Sequence, residues 1–432
     1  MTPKPFFKQP VFFLWIRCLY ILNYLLWRPF GVVALGYRLA TRRHQRVVAV
    51  TGSVGKTTAT RAIMTLFHGD ASARIHTGDN CFALVGLNLM RQGPRARWAV
   101  VEVGIGVPGQ MAHYAATLQP DLVVMTALAS DHVGRFAGDG ALWEEKARMV
   151  RALRPRGVAV LNGDDAAVMR MASVTPARVV TFGFSPGCDY AAADLECHAT
   201  GTRFTLCAEG SQTAVHCRLV GREAVRALLA AVAVGRTAGM SLESIRSRLE
   251  GLPPTPGRMQ PVKLLGGAVA ICDDFKAGIE TIHASLDTLA DLSAARRILV
   301  LGSLFRPQPP RSEKYAAVGR HAARSADRII LVGRRSSLYW RGFRDVAALP
   351  TIDHVRNIEE AVALLRAVLA PGDVVLLKGR GEEKLARIAL ALSGREIRCR
   401  LASCPLENIL CQACPYSSPD AKAHVGERMS NP

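Results

Sequence analysis

Residues 47–60 read Val47-Val-Ala-Val-Thr-Gly-Ser-Val-Gly-Lys-Thr-Thr-Ala-Thr60: a short apolar run, a glycine-bearing turn, then a stretch suited to a helix. Val47–Val50 is too short for a helix and fits a central strand of a parallel sheet. Gly52 and Gly55 let the backbone turn tightly, so that N–H groups from Gly52 through Ser53, Val54 and Gly55 to Thr58 face phosphate oxygens. Lys56 brings an ammonium to the β- and γ-phosphates, and the Thr57 hydroxyl is placed to ligate Mg²⁺. The helix that starts there adds its positive end. The segment predicts a site for a nucleoside triphosphate.

The chain around it has 432 residues, 49% apolar and 21% charged, the composition of a globular protein of two or three domains. Trp98–Val103, Asp121–Thr126 and Val158–Leu161 read as buried strands, with helical patterns at Leu142–Leu153 and Ala224–Ala238. That alternation predicts an α/β fold whose parallel sheet is covered on both faces. Short alternating segments between Asp189 and Val220 predict a small antiparallel insertion, and Gly251-Leu-Pro-Pro-Thr-Pro-Gly257 a linker. A second, smaller Rossmann-like unit follows, with strands at Val269–Cys272, Arg297–Leu301, Arg328–Val332 and Val374–Leu377. The expected domains are therefore 46–256 and 257–398. A tail, 399–432, carries Cys399, Cys404, Cys411 and Cys414. Only Cys411-Gln-Ala-Cys414 has tight metal-ligand spacing and no histidine completes a zinc pattern, so the tail reads as unstructured with adventitious thiols.

The front of the chain is different. Of a net charge of +20, ten Lys and Arg precede Asp70, the first acidic residue. A basic patch of this kind suits nucleic acid, but its neighbours argue against that partner. Val11–Trp27 and Phe30–Leu35 are apolar and aromatic with arginines at both ends, as at a bilayer interface. Arg17 lies within the first run, which is barely long enough to span. Residues 1–45 therefore read as a hydrophobic, basic anchor helix lying on or re-entering the membrane. A spanning helix and a helix docked on the protein's own surface are the alternatives. The cluster Arg42-Arg43-His44-Gln45-Arg46 would face the anionic cytoplasmic leaflet. Use of ATP places the protein in the cytoplasm, here at the inner face of the cytoplasmic membrane, with its cysteines reduced.

The loop Thr51-Gly-Ser-Val-Gly-Lys-Thr-Thr58 is two residues shorter than the general phosphate-loop pattern. In that form it resembles the Mur ligase family, ATP-dependent enzymes that join a carboxylate to an amino-acid amine. Further segments match in order between about Val47 and Ile388, most like the branch that adds D-alanyl-D-alanine to a muramoyl tripeptide. The resemblance implies ATP and Mg²⁺ as cofactors, a carboxylate donor and an amino-acid or peptide amine. In Val101-Glu-Val-Gly-Ile-Gly-Val-Pro-Gly109, Glu102 matches a glutamate that reaches the Mg²⁺ held by Thr57. In Thr126-Ala-Leu-Ala-Ser-Asp-His132, His132 matches a histidine supporting a second Mg²⁺. Lys146 matches a lysine carbamylated by CO₂, which would turn a repelling ammonium into carboxylate-like oxygens.

Asn162 and Asp165, in Leu161-Asn-Gly-Asp-Asp165, match a turn on the nucleotide side of the cleft, although Asn-Gly-Asp is equally a common turn. Arg258, just past the linker, matches an arginine for the γ-phosphate, and Asp274 a residue at the ribose. Asp273-Asp-Phe-Lys-Ala-Gly278 departs from the D-alanyl-D-alanine branch and resembles the D-glutamate-adding members. Leu301-Gly-Ser-Leu-Phe305 and Leu377-Lys-Gly-Arg-Gly381 resemble turns around the incoming amine, with Tyr315 where a histidine is usual. The family's front domain grips a UDP-sugar carrier; here an anchor-like segment precedes the loop, which implies a different donor. The reading is an acid–amino-acid ligase working through an acyl phosphate on a cell-wall or other membrane-associated acceptor. A polyglutamate or capsule-type synthase, and a membrane-tethered nucleotide-binding partner without ligase turnover, are the alternatives.

Overall fold

The computed structural model describes residues 10–68, 80–128, 138–305, 307, 309–406 and 409–414. Residues Pro10–Thr41 form one helix, α1, and the strand after it, β1 (Arg46–Thr51), is wholly buried from Val47 to Val50. Val47 and Ala49 share a core with Val85, Leu89, Met111 and Leu118, while Val48 and Val50 point to the opposite face. A strand buried on both faces reads as a continuous apolar run, which is why its sequence shows no alternation. Each such valine contributes roughly 1.5–3 kcal/mol by leaving water.

The elements that follow are α2 (Lys56–His68), α3 (Ala83–Met90), β2 (Trp98–Glu102), α4 (Gln110–Leu118), β3 (Leu122–Met125), α5 (Asp139–Arg151), β4 (Val158–Asn162), the single turn α6 (Ala166–Met169) and β5 (Arg178–Gly183). The strands lie in the order β2-β1-β3-β4-β5, all parallel. The sheet continues through β6 (Tyr190–His198), β7 (Gly201–Ala208) and β8 (Ser211–Cys217). Two-residue connections force β6, β7 and β8 to run antiparallel. Glu209 and Gly210, with φ of 53° and 74°, have the positive-φ pair of a tight hairpin turn. Helices α7 (Arg222–Thr237) and α8 (Leu242–Glu250) complete this part, the latter capped by the Ser241 hydroxyl on Ser244 N–H.

From Leu22 onward α1 is docked on its own unit, against α3 and α4. A Cβ on Gly86 of α3 would come within 2.9 Å of the Ala34 Cβ, so the two helices touch through small residues. Arg38 is buried; it donates to Leu118 O, Gln45 O and the Asp121 carboxylate at 2.8–2.9 Å. Among the described residues no helix is long and apolar enough to cross a membrane. Arg17, Arg28 and Arg38 interrupt the apolar run. The spanning alternative gives way to the docked one.

The chain divides into two compact units, 1–194 with 204–215 and 223–252, and 195–203 with 216–222 and 253–432. In the second, β9 (Gln260–Lys263), β10 (Val269–Asp273), α9 (Ile279–Asp291), β11 (Leu292–Ser293), β12 (Arg297–Leu301), α10 (Arg311–Ser325), β13 (Arg328–Val332), α11 (Trp340–Phe343), β14 (Thr351–Val355), α12 (Ile358–Val368), β15 (Val374–Lys378) and α13 (Ala386–Leu392) succeed one another. Its sheet has the order β14-β13-β12-β15-β10-β9, parallel except at β9. β11 pairs with the end of β6 at Cys197 and His198.

The tail differs from expectation as far as it is described. The Arg387 guanidinium donates to the carbonyls of Cys399 and Leu401, Lys384 Nζ to Ile409 O at 2.8 Å, and Cys411 is buried. Side chains of α13 and the turn before it hold this stretch, a role its own composition does not reveal. Among the described residues, no group of three or more His, Cys, Asp or Glu side chains is placed to hold a metal ion.

Candidate active site

β1 ends at Thr51, the loop occupies residues 52–55, and α2 begins at Lys56. Gly52 and Gly55 have φ of 140° and 84°, values that side-chain-bearing residues rarely adopt. A Cβ at Gly52 would lie 2.1 Å from Thr126 Oγ1. That threonine braces the loop: its hydroxyl donates to Val54 O at 2.6 Å, and Ser53 N–H donates to Ala127 O. Lys56 Nζ donates to Gly52 O and Ser53 O at 3.0 and 3.1 Å. An arriving triphosphate would exchange these neutral acceptors for charged ones, a stronger bond in each case.

The register of β1 on β2 sets Val50 beside Glu102, so the end of β2 lies next to the start of the loop. The Thr57 hydroxyl donates to Glu102 Oε1 at 3.1 Å, and Asn80 Nδ2 donates to the same oxygen at 2.6 Å. Both Thr57 and Glu102 are buried. Asn80 is a residue that sequence reasoning missed. Only the fold brings it to the carboxylate.

Lys146 on α5 is 1% exposed, and its Nζ lies 3.3 Å from Ser53 Oγ, which brings it to the phosphate loop. Its neighbour Glu145, also missed, accepts Met111 N–H at 2.9 Å and so holds the first turn of α4. His132 lies outside the described residues. Asn162 Nδ2 donates to Thr126 O at 2.7 Å, and Asp165 accepts Leu128 N–H as well as the first N–H groups of α6. Both therefore fasten the strand end that braces the loop.

Arg258 and Asp274 belong to the second unit. The Arg258 guanidinium stacks over the Phe275 ring at 4.9 Å. Asp274 is buried and accepts Ala386 N–H at 2.7 Å, capping α13; burial pushes its carboxyl above the usual range. Its neighbour Asp273 forms a buried ion pair with Lys378 at 2.6 Å. Glu383 joins the two glycine turns singled out in the sequence, accepting Ser303 N–H and Arg380 N–H. Beside them lies a cavity of about 220 Å³ lined by Pro307, Arg311, Tyr315, Arg335, Leu338 and Arg380.

Residues 50–235 match the Mur ligase middle domain, and residues 257–381 the Mur ligase glutamate ligase domain. The chain belongs to the Mur ligase family. It is therefore an ATP-dependent ligase that forms carbon–nitrogen bonds. This Mur ligase is 27% identical over 374 residues to the UDP-N-acetylmuramoyl-tripeptide–D-alanyl-D-alanine ligase of Escherichia coli, covering 83% of this chain and 80% of the relative. In fold it is similar to MurF from Acinetobacter baumannii, with a TM-score of 0.74 at 21% identity over 85% of this chain and 80% of that one. MurF from Thermotoga maritima in complex with ADP gives a TM-score of 0.72 at 20% identity, over 85% and 83%.

Mur ligases use ATP and Mg²⁺, and the donor set here fits that ion. A hydroxyl and a carboxylate oxygen are hard ligands, and Mg²⁺ is commonly held by one or two carboxylates with substrate phosphates and water supplying the rest. Thr57 and Glu102 are residues that could hold it.

Proposed function

We propose that this Mur ligase joins a carboxylate to an amino-acid or peptide amine through an acyl phosphate. We further propose that it does so at an anionic lipid surface, on a cell-wall-type peptide. The observation that carries the reading is the meeting of Thr57, Glu102 and Asn80 beside the phosphate loop, with Lys146 reaching Ser53 of the same loop. The chain's relatives are named as ligases of a muramoyl tripeptide, which supports the substrate class.

In this reading a substrate carboxylate oxygen attacks the γ-phosphorus, the bridging bond to the β-phosphate breaks and ADP leaves. The amine nitrogen then attacks the acyl carbon, inorganic phosphate departs and the nitrogen loses its proton to solvent. When bound, Mg²⁺ supplies neutralisation of charge on the transferring phosphoryl group. Lys56 turns from Gly52 O and Ser53 O to the phosphates. Thr126, fastened by Asn162, keeps the loop in shape while it does so. Lys146, as its carbamate, contributes oxygens beside Ser53, and His132 is proposed to act with it. Arg258 and Asp274 are proposed as ATP residues of the second unit. The amine's own carboxylate is proposed to sit among Arg311, Arg335 and Arg380.

The lipid part rests on the outer face of α1. Leu22, Leu25, Leu26, Val32, Val33 and Leu39 are all exposed and fall at i, i+3, i+4, i+10, i+11 and i+17, which places them along one side of the helix. Arg28, Arg42 and Arg43 are exposed along and beyond this stripe. A helix docked by one face, with an apolar outer stripe and cationic flanks, suits the interfacial plane of an anionic bilayer.

Trapping with hydroxylamine tests the chemistry. ATP-dependent hydroxamate from a muramoyl-type peptide carboxylate is expected, and its absence across candidate carboxylates, with ATP still bound, would leave a nucleotide-binding protein. Flotation with vesicles tests the surface. The chain is expected to rise with phosphatidylglycerol vesicles and not with phosphatidylcholine alone, and Val32→Asp with Val33→Asp to abolish the difference.

A further inference from the structure

The face of α1 opposite its exposed stripe reaches the segment that bears on the metal-ligand pair. Asn23 Oδ1 accepts Ala83 N–H, the first N–H of α3, at 3.0 Å. No side chain of the residue before α3, Phe82, performs this capping. Phe82 itself has a positive φ of 58° and is held from two directions. Its N–H donates to the Tyr114 hydroxyl at 2.5 Å, and its ring packs edge-on against Tyr24 of α1 at 5.4 Å. Burial pushes the Tyr114 phenol far up, so its oxygen stays neutral, and Trp27 of α1 packs against that ring at 6.2 Å. Three α1 side chains thus grip residues 82 and 83 directly or through Tyr114. Two residues earlier stands Asn80, whose amide nitrogen lies 2.6 Å from Glu102 Oε1 and whose carbonyl accepts Gly104 N–H at 2.7 Å.

We propose that α1 is a positioning element of the ATP–Mg²⁺ site: Asn23, seconded by Tyr24 and Trp27, fixes segment 80–83 so that Asn80 orients the Glu102 carboxylate toward Thr57. The positive-φ backbone at Phe82 is what such a grip has to stabilise, since a bulky non-glycine residue does not rest there without support. Asn80 stands one step outside the ligands, where loss of an orienting partner weakens metal binding without removing a ligand. The proposal rests on the ATP–Mg²⁺ reading of the site and adds to it a part played by a helix that touches neither nucleotide nor ion.

Mn²⁺, followed by electron paramagnetic resonance in the presence of saturating ADP, reports the site without turnover. Binding of Mn²⁺–ADP to the unaltered full-length chain tests the ATP–Mg²⁺ reading by itself; the ratio of variant to parent tests the positioning. Asn23→Ala is expected to weaken Mn²⁺ about tenfold and to speed hydrogen exchange at the Ala83 amide. It should also raise the Mg²⁺ requirement of the ATP-dependent reaction more than it lowers kcat. Asn23→Asp, which keeps an acceptor oxygen, is expected to restore Mn²⁺ binding. A helix cap of purely structural importance would lower the melting temperature and leave the Mn²⁺ affinity of the folded protein alone. Tyr24→Ala, at an exposed position, carries the same test if Asn23→Ala does not fold. Unchanged Mn²⁺ affinity in whichever of these variants folds overturns the proposal.

Discussion

The Thr57 hydroxyl and the Glu102 carboxylate stand 45 residues apart in the chain and meet at 3.1 Å. They do so because β1 and β2 are parallel neighbours in register, so both strands deliver their carboxyl ends to one edge of the sheet. Glu102→Gln keeps the shape of that contact and removes its charge. The variant is expected to need about 10- to 100-fold more Mg²⁺ for half-maximal activity. Metal-free ADP binding should stay close to that of the parent, as calorimetry with and without the ion would show.

Lys146 reaches Ser53 Oγ from α5 while itself almost wholly buried. If its working form is the carbamate, depletion of CO₂ and bicarbonate should inactivate the unaltered protein reversibly. Lys146→Arg, which keeps a cation and cannot be carbamylated, should lose activity by on the order of 10²-fold. A Lys146→Ala chain regaining activity in added formate or acetate would show that oxygens are what the position supplies. Full activity in Lys146→Arg would exclude the carbamate.

Asp274 has its carboxyl raised by burial while accepting the Ala386 N–H. An acid whose folded pKa exceeds its unfolded value stabilises the fold below the ordinary carboxylate range. That contribution is lost as pH rises through the raised value. Asp274→Asn keeps an acceptor for the cap and has no proton to lose. Its melting temperature should depend less on pH from the ordinary carboxylate range upward and should exceed that of the parent at the upper end. Parallel curves in differential scanning calorimetry would remove Asp274 from the account.

Arg335 is exposed at the rim of the 220 Å³ cavity that Arg311 and Arg380 also line. Loss of one charge-assisted contact to a carboxylate costs about 1.5–3 kcal/mol. Arg335→Ala should therefore raise KM for the amine roughly 10- to 100-fold with KM for ATP unaltered. Equal rises in both constants would move the amine's carboxylate elsewhere.

The loop at residues 51–58 was legible because its chemistry is local. Glycines, a lysine and a threonine at fixed spacing act within a few residues of one another, and the apolar strand before them is short and unbroken. The meeting of Glu102 with Thr57 was legible because neighbouring parallel strands bring their carboxyl ends together. Asn80, Thr126 and Glu383 were not, since each bears on a turn that only sheet order or helix packing brings near. That Asp274 also caps α13 from inside the fold was not legible, because its partner Ala386 lies 112 residues further along the chain. α1 was legible as an apolar, basic segment. However, its residues alone do not say which face meets protein: Arg38 has the look of a snorkelling cation and is instead buried against Asp121.

That buried arginine has a consequence for how the molecule can be cut. Arg38 closes hydrogen bonds at the end of α4, before β1 and at the entry to β3, and Ala34 sits against Gly86 of α3. A chain begun at residue 46 would therefore lose more than an attachment. Asp121 would forfeit its guanidinium partner, and an apolar seam on α3 and α4 would lie open to water or to another molecule. The helix is a wall of the nucleotide-binding unit, and a soluble fragment is better sought by placing charges on its outer stripe than by trimming it away.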